Sequence, residues 1–307
     1  MTVSGIRGDS GGRRRFPVSG IIAAGAAALI ALASCSKQSP PRKPLIHKTK
    51  AFDDVFGEVP PLPVAGPGNA AVVYFPSAAS PEQFRPVPVF IVEQGKEEAL
   101  AVRTAIRGIE TGEGPADAIM EEIAYPFPTG SDLLSIDHEG GIARIRIGGA
   151  FRAAALSRAE GETAAKSLAL TVAQFGKSGE VDLTDEAGDV HFGAKAEDTR
   201  VADPGPPILL GLMAIREEEG QPPGVLSVLF DRPVFVEGIS WYPPGGQSPY
   251  PGKVYSTGFG MTAELHPEPA VSFDGGVAYR VRYTVRDGKG RRTSGDAKWV
   301  PDVVTRH

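Results

Sequence analysis

Ala71-Val72-Val73-Tyr74-Phe75-Pro76 is the stretch from which the fold is read. Its β-branched and aromatic residues have the composition of a strand, and a proline closes it. Val87-Pro88-Val89-Phe90-Ile91-Val92 repeats the pattern, and the proline inside it predicts an edge or a strand start. The period then changes. Ala99, Val102, Ile106 and Ile109 recur at helical spacing, with Arg103 and Arg107 largely outside the stripe, until Gly112 to Pro115 supply a stop. Leu133-Leu134-Ser135-Ile136 and the alternating Ile142-Ala143-Arg144-Ile145-Arg146-Ile147 flank His138-Glu139-Gly140-Gly141, which predicts a hairpin. Residues 161–175 place Ala165, Leu168, Val172 and Phe175 on one helical face and end at Gly176. Val181-Asp182-Leu183 and Val190-His191-Phe192 flank a polar turn and predict a short final hairpin.

Ala202-Asp203-Pro204-Gly205-Pro206-Pro207 is a linker by composition, assigned to residues 194–207. Beyond it, over residues 208–302, the helical period disappears. Short apolar or alternating runs separated by Gly, Pro and Asp turns predict an all-β sandwich. The clearest strand has Tyr279, Val281, Tyr283 and Val285 on one face and Arg280, Arg282, Thr284 and Arg286 on a wet outer face. Gly258-Phe259-Gly260 reads as a bulge. Trp241-Tyr242-Pro243-Pro244 and Tyr250-Pro251 lie within Gly-rich loops, so Trp241, Tyr242 and Tyr250 form a candidate patch for docking a partner or a glycan. The alternative is that these rings close the end of the sandwich.

The 307-residue chain has one cysteine, Cys35, at the end of Leu32-Ala33-Ser34-Cys35. Arg7, Arg13, Arg14 and Arg15 precede an apolar run over residues 18–33, the pattern of an export signal. The run is shorter than the roughly 20 residues that span a bilayer comfortably. Leu32 to Cys35 resemble the bacterial lipobox, which implies cleavage between Ser34 and Cys35 and a diacylglycerol lipid, with acyl chains such as palmitate, on the thiol. Residues 1–34 are then a lipoprotein signal peptide, exported through the Sec route by default, although Arg13-Arg14-Arg15-Phe16 partly resembles the twin-arginine motif. Residues 35–69, with Pro40-Pro41, Pro60-Pro61 and Gly66-Pro67-Gly68, read as a Pro-rich tether. The anchor implies a place on the cell membrane or outer membrane, facing the periplasm or the exterior. Without residues 1–34 the chain holds 28 basic and 36 acidic residues, a net charge of -8, mixed along every segment. Nucleic acid is therefore not an expected partner. A lone cysteine also excludes internal disulfides, so each domain relies on its own core.

The order of elements over residues 70–193 resembles the GerMN domain, named for a spore-germination protein. The shared words are Tyr74-Phe75, Gly114-Pro115, Pro128-Thr129-Gly130 with Leu133-Leu134-Ser135, the strand from Ile145 to Phe151, and Leu170-Thr171 with Phe175. Ile106-Arg107-Gly108-Ile109 departs from the pattern and implies an enlarged loop there. The resemblance implies an α+β domain with a role near peptidoglycan remodelling, sporulation or germination. Residues 208–302 resemble bacterial Ig-like sandwiches of the copper-resistance CopC type, through Leu229-Phe230-Asp231-Arg232-Pro233-Val234, residues 279–285, Asp287-Gly288-Lys289 and Ser294-Gly295. In the copper binders a histidine follows the Asp-Gly pair. Lys289 stands there in this chain, and a protonated amine repels a metal, so the resemblance implies the fold without the metal.

The five histidines, His47, His138, His191, His266 and His307, show no metal-ligand spacing. His138 reads as a surface turn residue, and His191 and His266 as isolated strand histidines. Asp53-Asp54, Glu121-Glu122 and Glu217-Glu218-Glu219 are adjacent acids, which point apart and rarely form a catalytic pair. No nucleophile elbow, phosphate loop or dinucleotide fingerprint occurs. The expectation is an α+β GerMN-like domain followed by an all-β Ig-like sandwich, forming a non-catalytic binding or assembly module. It has no cofactor beyond the lipid on Cys35, no metal site, and envelope proteins or peptidoglycan as partners. Two rivals stand beside it, an accessory to a cell-wall hydrolase and a CopC-like metal binder.

Overall fold

The computed structural model describes residues 46–61, 68–109 and 122–305. The chain runs through β1 (Ile46–Lys48), α1 (Lys50–Val55), β2 (Gly68–Pro76), β3 (Gln83–Ile91), α2 (Glu97–Arg107), β4 (Ser131–Glu139), β5 (Ile142–Gly149), a short α3 (Ala150–Ala153), α4 (Arg158–Ala173), β6 (Glu180–Asp185), β7 (His191–Lys195) and β8 (Arg200–Val201). Two four-stranded sheets result, ordered β1-β2-β3-β8 and β4-β5-β6-β7. Alternate residues of β2 (Ala71, Val73, Phe75) and β5 (Ala143, Ile145, Ile147) share one core with Ala101, Val102 and Ala105 of α2 and Ala165, Leu168 and Val172 of α4. The stripe read for α4 is buried through Ala165, Leu168 and Val172, whereas on α2 the buried residues are Ala101, Val102, Ala105 and Ile106, with Ala99 only partly buried and Ile109 beyond the helix end at Arg107. α4 starts at Arg158, ahead of residue 161, because Ser157 and Glu160 form a reciprocal capping box. Gly161 is required one turn later: a Cβ there would lie 2.2 Å from the Phe192 ring of β7.

β2 is buried on its other face as well, where Ala70, Val72 and Tyr74 lie against Phe52, Phe56 and Leu170. This overturns the tether reading for residues 46–61. β1 pairs in parallel with β2 from Ile46↔Gly68 to Lys48↔Ala70, and Phe52 is 0% exposed. Thr49 caps α1 by accepting from the Phe52 N–H at 3.2 Å, and Phe52 and Phe56, four residues apart, give the short helix an apolar face. The prolines that suggested a spacer lie on either side of this segment, Pro40-Pro41 and Pro44 before it and Pro60-Pro61 at its end, with none between Ile46 and Val59.

Past Ala70 the β1 side of β2 is covered by a second, polar stripe on α4. Ser167 Oγ donates to Tyr74 O (2.5 Å), and Thr171 Oγ1 accepts from Tyr74 N (3.4 Å). Gln174 Oε1 accepts from Val72 N (2.9 Å), while its Nε2 donates to Val72 O (2.6 Å). Helix side chains thereby satisfy backbone groups that a neighbouring strand would otherwise take. The expected linker is likewise part of the fold: β8 pairs with β3 through Gln83↔Arg200 and Phe84↔Val201.

The second half contains β9 (Leu209–Arg216), β10 (Val225–Phe230), β11 (Phe235–Tyr242), β12 (Gly252–Thr257), β13 (Thr262–Pro267), β14 (Tyr279–Arg286), β15 (Arg292–Trp299) and β16 (Asp302–Thr305). They form a five-stranded sheet, β12-β13-β10-β9-β16, and a three-stranded sheet, β11-β14-β15. Leu212, Ala214, Leu226, Val228, Ala263 and Leu265 from the first meet Trp241, Tyr279, Val281 and Val285 from the second in one core. Gly258-Phe259-Gly260 is a single 3-10 turn with Phe259 at φ 56°, not a bulge. The ladder irregularities fall instead at Leu229/Phe230 and Val236/Gly238.

Candidate functional site

Ser34, Cys35 and the apolar run before them lie outside the described residues. The predicted aromatic patch is not a surface. Trp241 pairs with Val281 across β11 and β14, on the inward side, and is 1% exposed. Its indole N–H is buried without a hydrogen-bond partner among the described residues. Tyr242 points the other way but is covered by the Arg280 guanidinium, 4.1 Å from its ring centre. Tyr250 packs edge-on against Phe273 at 5.4 Å. The Gly- and Pro-rich composition nearby suggested a loop, whereas ladder register carries Trp241 into the core.

The densest polar arrangement is a joint between the two halves. Asp231 and Arg232, adjacent in sequence, are both buried, and Arg232 is 1% exposed. Arg232 Nε donates to both Asp231 oxygens at 3.1 Å, and Nη2 donates to Asp231 Oδ2 at 2.6 Å. Its Nη1 and Nη2 donate to Gly205 O (2.9 Å) and Pro204 O (2.8 Å), and Nη1 lies 3.6 Å from Asp287 Oδ2. The guanidinium also sits 5.5 Å from the Phe56 ring centre. Asp287, 0% exposed, accepts from Lys289 N and Arg291 N at 3.0 Å and from Arg291 Nε at 2.6 Å. Arg291 Nη2 then donates to Val55 O at 2.7 Å, and Lys289 Nζ to Asp53 O at 3.3 Å. Arg85 of β3 contributes a fourth cation, 2.5 Å from Glu122 and 3.7 Å from Asp231. Burying ions this deeply is unfavourable unless each is paired and hydrogen-bonded, and Asp231, Arg232 and Asp287 are.

Glycine makes the approach possible. Gly57 and Gly288 form a parallel bridge, and a Cβ on Gly288 would fall 2.1 Å from Glu58 N. Apolar contacts complete the joint: Phe259 stacks on Phe90 of β3 at 4.4 Å and 3°, and Leu210 of β9 enters the core of the first half. The turn Asp287-Gly288-Lys289, quoted above for its likeness to a copper site, therefore seats the second half on α1. Among the described residues no three His, Cys, Asp or Glu side chains are grouped so as to hold a metal.

His138 lies in β4 rather than in the turn, and it is an exposed residue, as the surface reading has it, with both ring nitrogens engaged. Its Nδ1 is 2.8 Å from Ser178 Oγ and its Nε2 is 3.1 Å from Glu98 Oε2, which Lys177 Nζ also reaches at 2.8 Å. The three residue types match a hydrolytic relay, but Ser178 is 6% exposed. Four concavities of about 410 to 680 Å³ on the surface have neither His138 nor Ser178 in their walls. The cluster joins β4, the first turn of α2 and the segment before β6. Two carboxylates are held below their usual range. Asp132 is held there chiefly by the hydrogen bond from Arg107. For Asp185 burial acts upward but is outweighed by the N–H groups of Asp189 and Val190 and by Arg152.

Residues 72–186 match the family model described as Germane, sporulation and spore germination. Solved structures with some similarity include the first GerMN domain of the sporulation protein GerM from Bacillus subtilis, 15% identical, covering 43% of this chain and 96% of that one, with a TM-score of 0.31. The tandem GerMN domains of the same protein are 13% identical over 52% of this chain and 58% of that one, with a TM-score of 0.33. A putative lipoprotein from Clostridium perfringens is 18% identical over 42% and 89%, with a TM-score of 0.27. No curated protein matches the chain. The family match lies wholly in the first half and includes the polar stripe of α4, His138 and Ser178.

Proposed function

We propose that this chain is a lipid-anchored, non-catalytic binding and assembly module of the cell envelope, acting in sporulation, germination or peptidoglycan remodelling. The observation that carries the reading is the match of residues 72–186 to a sporulation and germination family. The buried joint adds a mechanical meaning. The two halves act as one body, with the second half, read as an Ig-like domain, presented in a fixed orientation. Cys35 carries the lipid after cleavage behind Ser34, and envelope proteins or peptidoglycan are the partners. The chemistry of the joint speaks against copper binding, because the Lys289 amine is engaged with Asp53 O. Two measurements test the reading. Cys35→Ala moves the protein from the membrane fraction to the soluble fraction, and retention in the membrane refutes the anchor. Purified protein co-sediments with peptidoglycan without releasing soluble muropeptides, and release refutes the non-catalytic reading in favour of hydrolysis.

A further inference from the structure

The outer face of the three-stranded sheet is cationic in a chain whose net charge is -5. β14 points Arg280, Arg282, Thr284 and Arg286 outward, and the residues opposite them on β15 are Lys298, Asp296, Ser294 and Arg292. On β11 the partners are Tyr242, Ser240, Gly238 and Phe235. Arg280, Arg282, Arg286, Arg292 and Lys298 therefore share one face with only two acids, Asp296 and Glu237. Each acid is divided between two guanidiniums. Asp296 lies 3.0 Å from Arg282 and 3.8 Å from Arg280, while Glu237 lies 2.7 Å from Arg292 and 3.4 Å from Arg286. Lys298 has no ion-pair partner among the described residues.

Two features set this face apart from an ordinary solvated sheet. Arg280 stands directly opposite Lys298, and Arg286 directly opposite Arg292, so like charges meet at both ends of the hairpin. Such pairs oppose sheet formation. The guanidiniums are also laid on aromatic rings, Arg280 at 4.1 Å from Tyr242 and Arg286 at 4.3 Å from Phe235, which orders the cations before any ligand arrives. At the Arg280 and Lys298 end a concavity of about 410 Å³ opens between these two cations and the Pro243-Pro244-Gly245-Gly246 loop.

We infer that this face binds a linear polymer carrying repeated phosphate groups, with one phosphate between Arg280 and Lys298 in the concavity and others along β14. Neighbouring same-face positions on a strand are about 6.8 Å apart, which favours an extended chain over a compact anion. Four of the five cations are arginine, whose planar fork suits phosphate oxygens. Tyr242 and Phe235 lie beneath guanidiniums, so bases of a nucleic acid would find no open ring to stack on. The inference names a ligand chemistry for the binding module proposed above and rests on that reading. Its test uses a soluble polymer, so it fails independently of the anchor and the peptidoglycan assays.

The experiment is titration of the whole soluble chain with inorganic polyphosphate at two salt concentrations, followed by calorimetry or anisotropy. Binding weakens as salt rises. Lys298→Glu, which reverses one exposed charge, weakens it about 30-fold, with a similar effect for Arg292→Glu at the opposite end. Lys195→Ala, on the first half, leaves it unchanged, and melting temperatures within a few degrees of wild type show the variants folded. Equal affinity of Lys298→Glu and wild type overturns the inference. So does tighter binding to poly-glutamate or to an oligothymidylate, or binding to phosphatidylglycerol vesicles without binding to polyphosphate.

Discussion

Replacing Phe52 by alanine tests most directly whether residues 46–61 belong to the fold. The ring is 0% exposed and lies between Phe56 and Phe90, with centroid separations of 5.4 and 5.8 Å. Returning such a side chain to water costs about 2–3 kcal/mol on transfer alone. The two ring contacts add about 0.5–1.5 kcal/mol each. The total agrees with the roughly 3–5 kcal/mol observed for Phe→Ala in packed cores. In a tether the same change would stay within about 0.5 kcal/mol. Urea unfolding of the wild type and Phe52→Ala separates the cases by midpoint, provided the slope is unchanged. Val92→Ala, at a side chain 62% exposed, is the control and should shift little. A loss below about 1 kcal/mol for Phe52→Ala would refute the packing of α1 against β2.

Trp241→Ala should cost about 3–5 kcal/mol, and an unchanged urea midpoint would return the ring to the surface. Asp287→Ala leaves Arg232 and Arg291 short of a buried counter-charge, at a cost of about 3–5 kcal/mol. Limited proteolysis should then cut residues 202–207 faster, and an unaltered pattern would refute the joint. Stability should fall at both extremes of pH. Asp132 and Asp185 titrate below their unfolded values, so their contribution is complete above about pH 4 and is lost as pH drops through the depressed values. Tyr74 is pushed by burial, with Asp54 adding, up to about 12, so its contribution is complete below about pH 10 and is lost as pH rises towards 12. Asp132→Asn and Tyr74→Phe should flatten the acid and alkaline limbs of melting temperature against pH respectively, and parallel curves would refute these assignments.

What the sequence made legible was periodic. Ala165, Leu168 and Val172 recur on one face because one core takes them, and the alternation of Tyr279, Val281 and Val285 follows from a sheet with one wet side. What escaped was set by partners distant in sequence. Ser167, Thr171 and Gln174 look like ordinary polar residues of a helix until Val72 and Tyr74 are placed beside them. Phe52 was hidden by the prolines on either side of it, since a composition window averages over a helix only six residues long. Asp231, Arg232 and Asp287 gave little local signal because a buried ion pair and a solvated one are spelled alike. The adjacent Asp231-Arg232 pair, set between apolar residues, was the one hint available.

The joint and the cationic face are two ends of the same hairpin. Asp287 and Arg291 close the turn that connects β14 to β15, through Asp287 N–H to Arg291 O at 3.0 Å and Arg291 Nε to Asp287 Oδ2 at 2.6 Å. The next residues outward are Arg286 and Arg292, the like-charged pair. Their repulsion acts to spread the hairpin where the turn and its anchorage to Val55 O and Asp53 O hold it closed. An apolar contact of equal area would serve stability as well, since buried ion pairs seldom exceed hydrophobic replacements. It would not fix direction. A guanidinium fork held on a carboxylate and two carbonyls admits one orientation, and Arg232 meets that description with Asp231, Pro204 and Gly205. An ionic joint therefore sets the direction of the second half, and with it the angle of the charged sheet to the first half.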